Sequence, residues 1–227
     1  MTFGKNKIEK QSNTIMLTFM SLIAVSGWFA LGLQFYLLLV NPVFGDLTPV
    51  QRTVKFFSYF TILSNLLVTL SLTICLLMPQ SGLRKFFSRP TVKSAIAVYI
   101  TIVGIVYSLV LRQLWKPEDF QLVADVILHD AIPIMYALYW FIFVPKGELN
   151  WKNPILWLIF PLIYLPYTLI RGAVSNQYPY PFVDVSQHGY STVLFNGVML
   201  IVGFFVMGEI FVGIDKLMSR TSIQNTS

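Results

Sequence analysis

The sequence predicts an all-α, polytopic membrane protein in which six transmembrane helices form a bundle and both termini are cytoplasmic. Of its 227 residues, 56% are hydrophobic and only 11% are charged. Soluble globular domains carry about 25% charged residues, so this deficit favours a chain that lies mostly in lipid. We expect a single integral membrane domain over residues 1–227, because no polar block is long enough to fold alone. If the source is bacterial, the expected location is the inner (cell) membrane.

Six apolar stretches predict the six helices, since a bilayer core requires about 20 residues of helix. They cover residues 14–40, 54–78, 92–114, 121–144, 154–171 and 190–214. The first stretch follows a basic N-terminus, as in a signal peptide, but it is much longer than the apolar region of one. We therefore expect it to be retained as a transmembrane helix.

The distribution of lysine and arginine predicts the orientation. Eleven of the 16 basic residues lie in the two termini and the second and fourth loops, whereas five lie near the other ends of the helices. Cytoplasmic loops are enriched in lysine and arginine, so the termini are expected in the cytoplasm. The net charge of +6 arises from these loop residues, and we expect membrane lipids rather than nucleic acid as partners. The five residues on the outer side are Arg52, Lys55, Arg112, Lys116 and Arg171.

The fourth apolar stretch is unusual because its first half contains Asp125, His129 and Asp130. An ionisable side chain at membrane depth costs about 2.5 to 3.5 kcal/mol on insertion scales, and such groups usually face a bundle interior or a wet cavity. Asp125 and His129 share one helix face, because they are four residues apart. Pro133 cannot donate the N–H that the His129 carbonyl would accept, so we expect the helix to be loosened there.

Other polar side chains are predicted at the same depth, toward the outer side. Counted from the expected outer ends, Thr61 lies about 10 Å and His129 about 12 Å into their helices. The alternative is structural: a threonine in a membrane helix often bonds a preceding carbonyl, and amide side chains often join helices. Asp125 would in that case pair with Arg112 near the surface. The remaining polar residues near this level are Asn65, Gln34, Asn196 and Arg112.

The longest predicted loop, residues 172–189, lies on the outer side. Pro179 and Pro181 require extended backbone at Tyr178 and Tyr180. Such tyrosines suit a membrane interface, where the ring lies in lipid and the hydroxyl in water. The alternative is that the loop covers an outward-facing cavity.

Thr61, His129 and Asp125 supply the three groups of a nucleophilic hydrolase. A hydroxyl attacks when a base takes its proton, neutral histidine is the usual base, and a carboxylate can orient the histidine. Asn65 could then donate to the developing oxyanion. We expect no metal or other cofactor, because the chain has one cysteine and two histidines and no three ligands at helical spacing. The cysteine, Cys75, also excludes an intrachain disulfide.

Three segments of the sequence resemble the androgen-induced-protein family of six-span membrane proteins, including its bacterial branch. They are FFSYFTILSN (56–65), ILHDAIP (127–133) and YPYPFVD (178–184). The resemblance extends over about residues 20–210. It departs from the animal members after His129, where the approach to proline is shorter and more acidic.

The resemblance implies a six-helix fold and an activity. Animal members are threonine-dependent hydrolases that cleave fatty acid esters of hydroxy fatty acids within the membrane. Carried over, the threonine falls on Thr61 and the histidine on His129, whereas the role of Asp125 is inferred from its spacing. The expected substrate is a lipid or fatty-acyl ester, with Asn65, Gln34, Asn196, Tyr180 and Arg112 as substrate-binding candidates. A transporter or a lipid-binding protein with a polar outward-facing cavity is the alternative, and the prolines of the fifth stretch favour it by predicting a discontinuous helix.

Overall fold

A computed structural model describes residues 2–41 and 47–224, with side chains for residues 11–41 and 47–220. Within these residues every regular element is helical, which confirms the all-α prediction. The α-helices are α1 (Thr2–Val40), α2 (Pro49–Phe56), α3 (Phe60–Leu77), α4 (Gly82–Phe87), α5 (Pro90–Val106), α6 (Asp119–Val126), α7 (Ile132–Phe143), α8 (Asn153–Trp157), α9 (Ile159–Ser175) and α10 (Val185–Gln224). Two π-helical turns, Tyr107–Leu111 and Ile127–Ala131, and a 3₁₀ turn, Pro181–Val183, complete the set.

Six helices in the described part of the chain are long and apolar enough to cross a membrane. This confirms the predicted number, and it is the pattern of an integral, multi-pass membrane protein. The helices cover Gln11–Val40, Phe60–Leu77, Pro90–Leu111, Asp119–Phe143, Asn153–Ser175 and Val185–Arg220. Their bounds differ from the predicted ones mainly in the second, fifth and sixth helices.

The second membrane helix begins at Phe60 instead of residue 54, because a separate short helix precedes it. The Thr48 side chain accepts from the Gln51 N–H, and the Gln51 side chain accepts from the Thr48 N–H. This capping box, with Pro49 in the first turn, starts α2. Thr61 therefore occupies the second position of its helix, so the predicted depth of about 10 Å into that helix is wrong.

The fifth helix ends later than predicted, and the sixth begins earlier. Asn176 adopts a left-handed conformation (φ 51°, ψ 28°) that terminates α9 after Ser175. The sixth helix starts at Val185 but is kinked at Gly189, whose φ of 73° suits glycine. The predicted start at residue 190 thus coincides with the regular part of α10. The fifth membrane helix itself consists of α8 and α9, which are separated only at Leu158.

The chain divides into two compact units, each built from two segments. Unit 1 comprises residues 1–37 and 64–145, and unit 2 comprises residues 38–63 and 146–227. In unit 1 the buried Trp140 indole donates to the Ser94 hydroxyl over 2.7 Å. In unit 2 the buried Phe60 ring lies 5.0 to 5.4 Å from three other rings, those of Phe160, Tyr164 and Phe204. The single domain expected over 1–227 stays a prediction.

Arg52, counted above among the outer basic residues, is only 9% exposed. Its guanidinium donates to the carbonyls of Leu38, Leu39 and Asn41 at 2.6 to 3.2 Å, and its Nε donates to Leu47 O. These carbonyls lie at and after the end of α1, where helical carbonyls lack intrahelical donors and a cation is favourable. Arg52 thus closes the end of the first membrane helix within unit 2.

A carboxylate that the sequence analysis did not single out organises the connection after α7. Asp215 is 1% exposed and accepts from the backbone N–H groups of Gly147 and Leu149 at 2.9 and 3.2 Å. Gly147 has a φ of 91°, which favours glycine. The neighbouring Lys216 ammonium donates to the Leu149 carbonyl over 2.6 Å. The Asp215 and Lys216 side chains of α10 therefore hold the loop between α7 and α8 by hydrogen bonds to its backbone.

Candidate functional site

The predicted loosening around His129 takes the form of a π-helical turn. The turn covers Ile127–Ala131, and the N–H of Ile132 bonds the carbonyl of Ile127 five residues back. Pro133 follows at once and has no N–H to give to the carbonyl of His129. π-turns inside α-helices are rare and occur frequently at functional sites. The local sequence therefore places His129 in a distorted segment between two regular helices.

The π-turn exposes carbonyls that side chains and close packing then cover. Since Ile132 N–H bonds Ile127, the Leu128 carbonyl loses its α-helical donor and accepts instead from the Asn65 amide over 3.1 Å. Gly104 of α5 packs against the turn so closely that a Cβ there would lie 3.3 Å from His129 O and 3.1 Å from Pro133 Cβ. Asn65 thus has a structural partner, and its predicted role toward substrate stays a prediction.

Asp125 and His129 contact each other as their spacing predicts. His129 Nδ1 lies 3.2 Å from Asp125 Oδ1 and 3.0 Å from the Asp125 main-chain oxygen. Both neighbours are acceptors when the carboxylate is ionised, so Nδ1 is the nitrogen that carries the proton. In the neutral imidazole Nε2 then has the lone pair, and no described group forms a hydrogen bond to it. Asp125 is 4% exposed, whereas the His129 side chain is 16% exposed, so the carboxylate is the buried partner of the pair.

Tyr107, which the sequence analysis did not identify, completes the surroundings of this pair. Its hydroxyl donates to Asp125 Oδ2, and its ring stacks on the His129 imidazole with centroids 4.0 Å apart. Tyr107 begins the second π-turn, where the Arg112 N–H bonds the Tyr107 carbonyl over 2.8 Å. No motif or spacing in the third apolar stretch indicates this tyrosine. Its role follows only from the packing of α5 against the fourth membrane helix.

Arg112 pairs with Asp130 and not with Asp125, so the alternative in which Asp125 pairs with Arg112 is wrong. The guanidinium bonds the Asp130 carboxylate, and it also lies over the Tyr107 ring at 5.0 Å from the centroid. The Arg112 side chain is 49% exposed, so the ion pair is partly solvated. Asp125 is consequently available to His129 and Tyr107.

Gln34 contacts another amide. Its Oε1 accepts from Gln121 Nε2 over 2.7 Å, and its own Nε2 lies 3.5 Å from Gln121 Oε1. Amide pairs of this kind commonly join membrane helices. This is the structural alternative considered above for Gln34, and its contact with substrate stays a prediction.

Thr61, in unit 2, is bound by a tyrosine from the segment between α9 and α10. The Thr61 N–H donates to the Tyr180 hydroxyl over 3.2 Å, and the Thr61 and Tyr180 hydroxyl oxygens are 3.3 Å apart. Thr61 is 6% exposed. Burial raises the pKa of Tyr180 to about 12 in spite of the hydrogen bonds with Thr61. The phenol is therefore neutral near pH 7, and Tyr180 is not a base for the threonine there.

The loop that carries Tyr180 is held by several contacts within unit 2. The Tyr180 ring stacks on Phe182 with centroids 5.2 Å apart and meets Tyr59 edge-on at 5.7 Å. The Asn196 amide donates to the Phe182 carbonyl over 2.9 Å. A Cβ on Gly172 would lie 2.1 Å from the Tyr178 ring, so that glycine permits the ring to pack on α9. Asn196 thus supports the loop, while the tyrosine hydroxyl reaches Thr61.

The structure groups the predicted site residues within each unit. Unit 1 joins Asp125 to His129 and adds Tyr107, and unit 2 joins Thr61 to Tyr180. Among the described residues, no group of three His, Cys, Asp or Glu side chains could hold a metal ion. Comparison with protein-family models, with curated proteins and with solved structures finds no match.

Proposed function

We propose that this protein is an intramembrane, threonine-dependent hydrolase of lipid esters, with its termini in the cytoplasm and its site toward the outer side. If the chain is bacterial, it acts in the inner membrane. The observation that carries the proposal is the Asp125–His129 pair. Its acceptors hold the proton on Nδ1 and leave Nε2 as the basic atom, which is the tautomer that a general base requires.

In the proposed reaction Nε2 of His129 takes the proton of the Thr61 hydroxyl as Oγ attacks the ester carbonyl carbon. The tetrahedral intermediate collapses when the imidazolium returns the proton to the leaving alcohol, which gives an acyl-threonine. A water molecule, deprotonated by His129, then releases the fatty acid and restores the threonine. The Asp125 side chain beside Nδ1 stabilises the imidazolium in both steps.

The surroundings of Thr61 support the role of nucleophile. Thr61 lies in the first turn of α3, where the helix dipole favours negative charge on a developing alkoxide. The Tyr180 hydroxyl, neutral at pH 7, can donate to that oxygen. Exposed apolar side chains along the membrane helices allow an ester with long acyl chains to approach through lipid. The resemblance of segments 56–65 and 127–133 to a family of threonine hydrolases supports the same assignment.

A fluorophosphonate that labels activated hydroxyl nucleophiles tests the proposal. We expect labelling of the wild-type protein and of Thr61→Ser, and loss of labelling in Thr61→Ala and His129→Ala. His188→Gln is the matched control, because it removes the other histidine of the sequence. Hydrolysis of a long-chain fatty-acyl ester should follow the same order. Equal labelling of the wild type and both alanine variants would exclude Thr61 as the nucleophile.

Proton-coupled transport is the second candidate, and one observation favours it. Tyr107, Asp125 and His129 form a continuous set of proton-carrying groups within unit 1, which does not include Thr61. Intramembrane ionisable groups of this kind occur in proton relays. A transporter would keep pH-driven proton flux in proteoliposomes when Thr61 is replaced by Ala and lose it in Asp125→Asn. A hydrolase would show no flux and would lose ester cleavage in Thr61→Ala.

A further inference from the structure

A pocket in unit 2 combines a basic residue with an apolar wall. Its volume is about 510 Å³, within the range of about 300–1,000 Å³ typical of ligand sites. Arg171, Ser175 and Gln177 line it from the end of α9 and the residues that follow. α2 and the residue before its cap contribute Leu47, Val50, Gln51 and Val54 to the lining.

The charge at this pocket is positive. Arg171 lines it, and Lys55 lies near enough that burial and the Arg171 charge together lower the pKa of Lys55. Among the described groups none accepts a hydrogen bond from Arg171 Nε, although that atom is buried. The guanidinium also donates to the Gln177 carbonyl, which holds it at this end of α9. An anion placed here would form a charge-assisted hydrogen bond with the Arg171 guanidinium.

The three valines that line the pocket are exposed. Val50 is 72%, Val54 is 46% and Val174 is 85% exposed. Exposed valines of this kind offer an apolar surface that an acyl chain can contact. The pocket therefore combines a guanidinium with exposed apolar side chains, which match the two features of an amphiphile with an anionic head.

We propose that this pocket binds the anionic head of an acyl-chain amphiphile, a carboxylate or a phosphate, with Arg171 facing the anion and the valines contacting the chain. The site does not depend on the proposed hydrolysis, because none of its lining residues belongs to the Thr61 or His129 surroundings. Binding is also measured without turnover, so failure of one proposal leaves the other intact.

The test uses the full-length protein in an uncharged detergent and a fluorescent long-chain fatty acid, its methyl ester and a lysophosphatidic acid of equal chain length. We expect the acid and the phosphate to bind and the methyl ester to bind at least about tenfold more weakly, as loss of a charge-assisted hydrogen bond implies. Arg171→Gln should weaken both anionic probes by about tenfold or more. It should leave the methyl ester unchanged.

Two further variants separate a binding site from a general effect of charge or folding. Lys116→Gln removes one positive charge from an exposed residue of unit 1 and should leave all three affinities unchanged. Val54→Trp fills the apolar wall at a half-exposed position and should weaken all three probes, even if Arg171→Gln fails to fold. Equal binding of acid and methyl ester, or equal losses in Arg171→Gln and Lys116→Gln, would overturn the proposal. Complete displacement of the fatty acid by millimolar inorganic phosphate would instead identify a site for a soluble anion, and would overturn it too.

Discussion

His129 owes its orientation to two oxygens of a single residue. The side-chain and main-chain oxygens of Asp125 both lie within 3.2 Å of Nδ1, so the N–H points to them in either case. The main-chain oxygen is present whatever side chain occupies position 125. Mutation of Asp125 can therefore remove the carboxylate and leave the orientation of the histidine in place.

Replacing Asp125 by Asn should remove the charge and keep the orientation. We expect turnover of the ester to fall by about ten- to a hundredfold, because a hydrogen bond to a charged group is worth about 1.5–3 kcal/mol. This is less than the roughly 10⁴-fold loss that follows a wrong tautomer. The ¹⁵N NMR spectrum of the imidazole in a His188→Gln background should still show the proton on Nδ1.

Tyr107→Phe is the matched control for that change. It removes the hydroxyl that donates to Asp125 Oδ2 but retains the ring stacked on His129, so a smaller decrease, of about tenfold or less, is expected. Thermal unfolding in detergent should confirm that both variants fold. Full activity in folded Asp125→Asn would remove Asp125 from the mechanism and leave threonine and histidine alone.

At the scale of the element, the π-turn at Ile127–Ala131 depends on the helix packed against it. Gly104 of α5 has no side chain, and the space that a Cβ would occupy lies 3.1 Å from Pro133 Cβ. In a regular helix each carbonyl accepts from the N–H four residues later. Here the carbonyls of Leu128 and His129 lack that donor, because the Ile132 N–H bonds Ile127 and Pro133 has no N–H. Close approach of α5 and the donation from Asn65 to Leu128 O together cover the turn.

Gly104→Ala should therefore destabilise the protein, by about 1–3 kcal/mol, as overpacking commonly does. Because the added methyl group meets the His129 carbonyl, ester turnover should fall as well. The measurements are thermal unfolding in detergent and turnover at saturating substrate.

Gly32→Ala is the control, since it lies in a helix of the same unit with no atom within 4 Å of its ideal Cβ. There alanine should leave stability unchanged or raise it slightly, because it favours helix more than glycine does. Equal effects of the two substitutions would show that contact at Gly104 is not what positions the turn.

At the scale of the whole molecule, the proposed reaction requires Thr61 and His129 to meet. Thr61 belongs to unit 2 and His129 to unit 1. In a Cys75→Ser background, Thr61→Cys combined with His129→Cys should be bridged rapidly by a short fluorogenic reagent that joins two thiols. The Cys75 substitution removes the single native thiol of the sequence.

The control for this bridge pairs Thr61→Cys with Ile142→Cys. Ile142 lies at the other end of the same membrane helix, about 20 Å from His129 at the rise of an α-helix. We expect bridging of the first pair only. A yield no higher than that of the control pair would contradict a catalytic site formed by Thr61 and His129.

The orientation in the membrane is also testable on the whole molecule. In the same cysteine-free background, a membrane-impermeant maleimide applied to intact cells should label Lys116→Cys and not Lys85→Cys, because the topology proposed from the charge distribution has Lys85 on the cytoplasmic side. Both positions are exposed. Permeabilised cells should label both. The reverse pattern in intact cells would invert the proposed topology.

Much of the fold is predictable because it depends on local properties of the chain. A run of about 20 apolar residues specifies a membrane helix wherever it lies in the sequence, so six helices follow from six runs. The proline four residues after His129 specifies a distorted helix for the same reason. The second helix was misplaced at its start because the capping box at Thr48 and Gln51 was not recognised, although that signal is also local.

The sequence by itself determined that the chain is helical, that it crosses a membrane, and that Asp125 and His129 face the same way. The sequence did not determine which groups the polar side chains bond. Tertiary structure decided that Arg112 binds Asp130, that Tyr107 binds Asp125, and that Tyr180 reaches Thr61. Each of these contacts joins residues from different elements. Their selection depends on how the helices pack, because helical periodicity specifies the face on which a side chain lies but not the neighbour that face will meet.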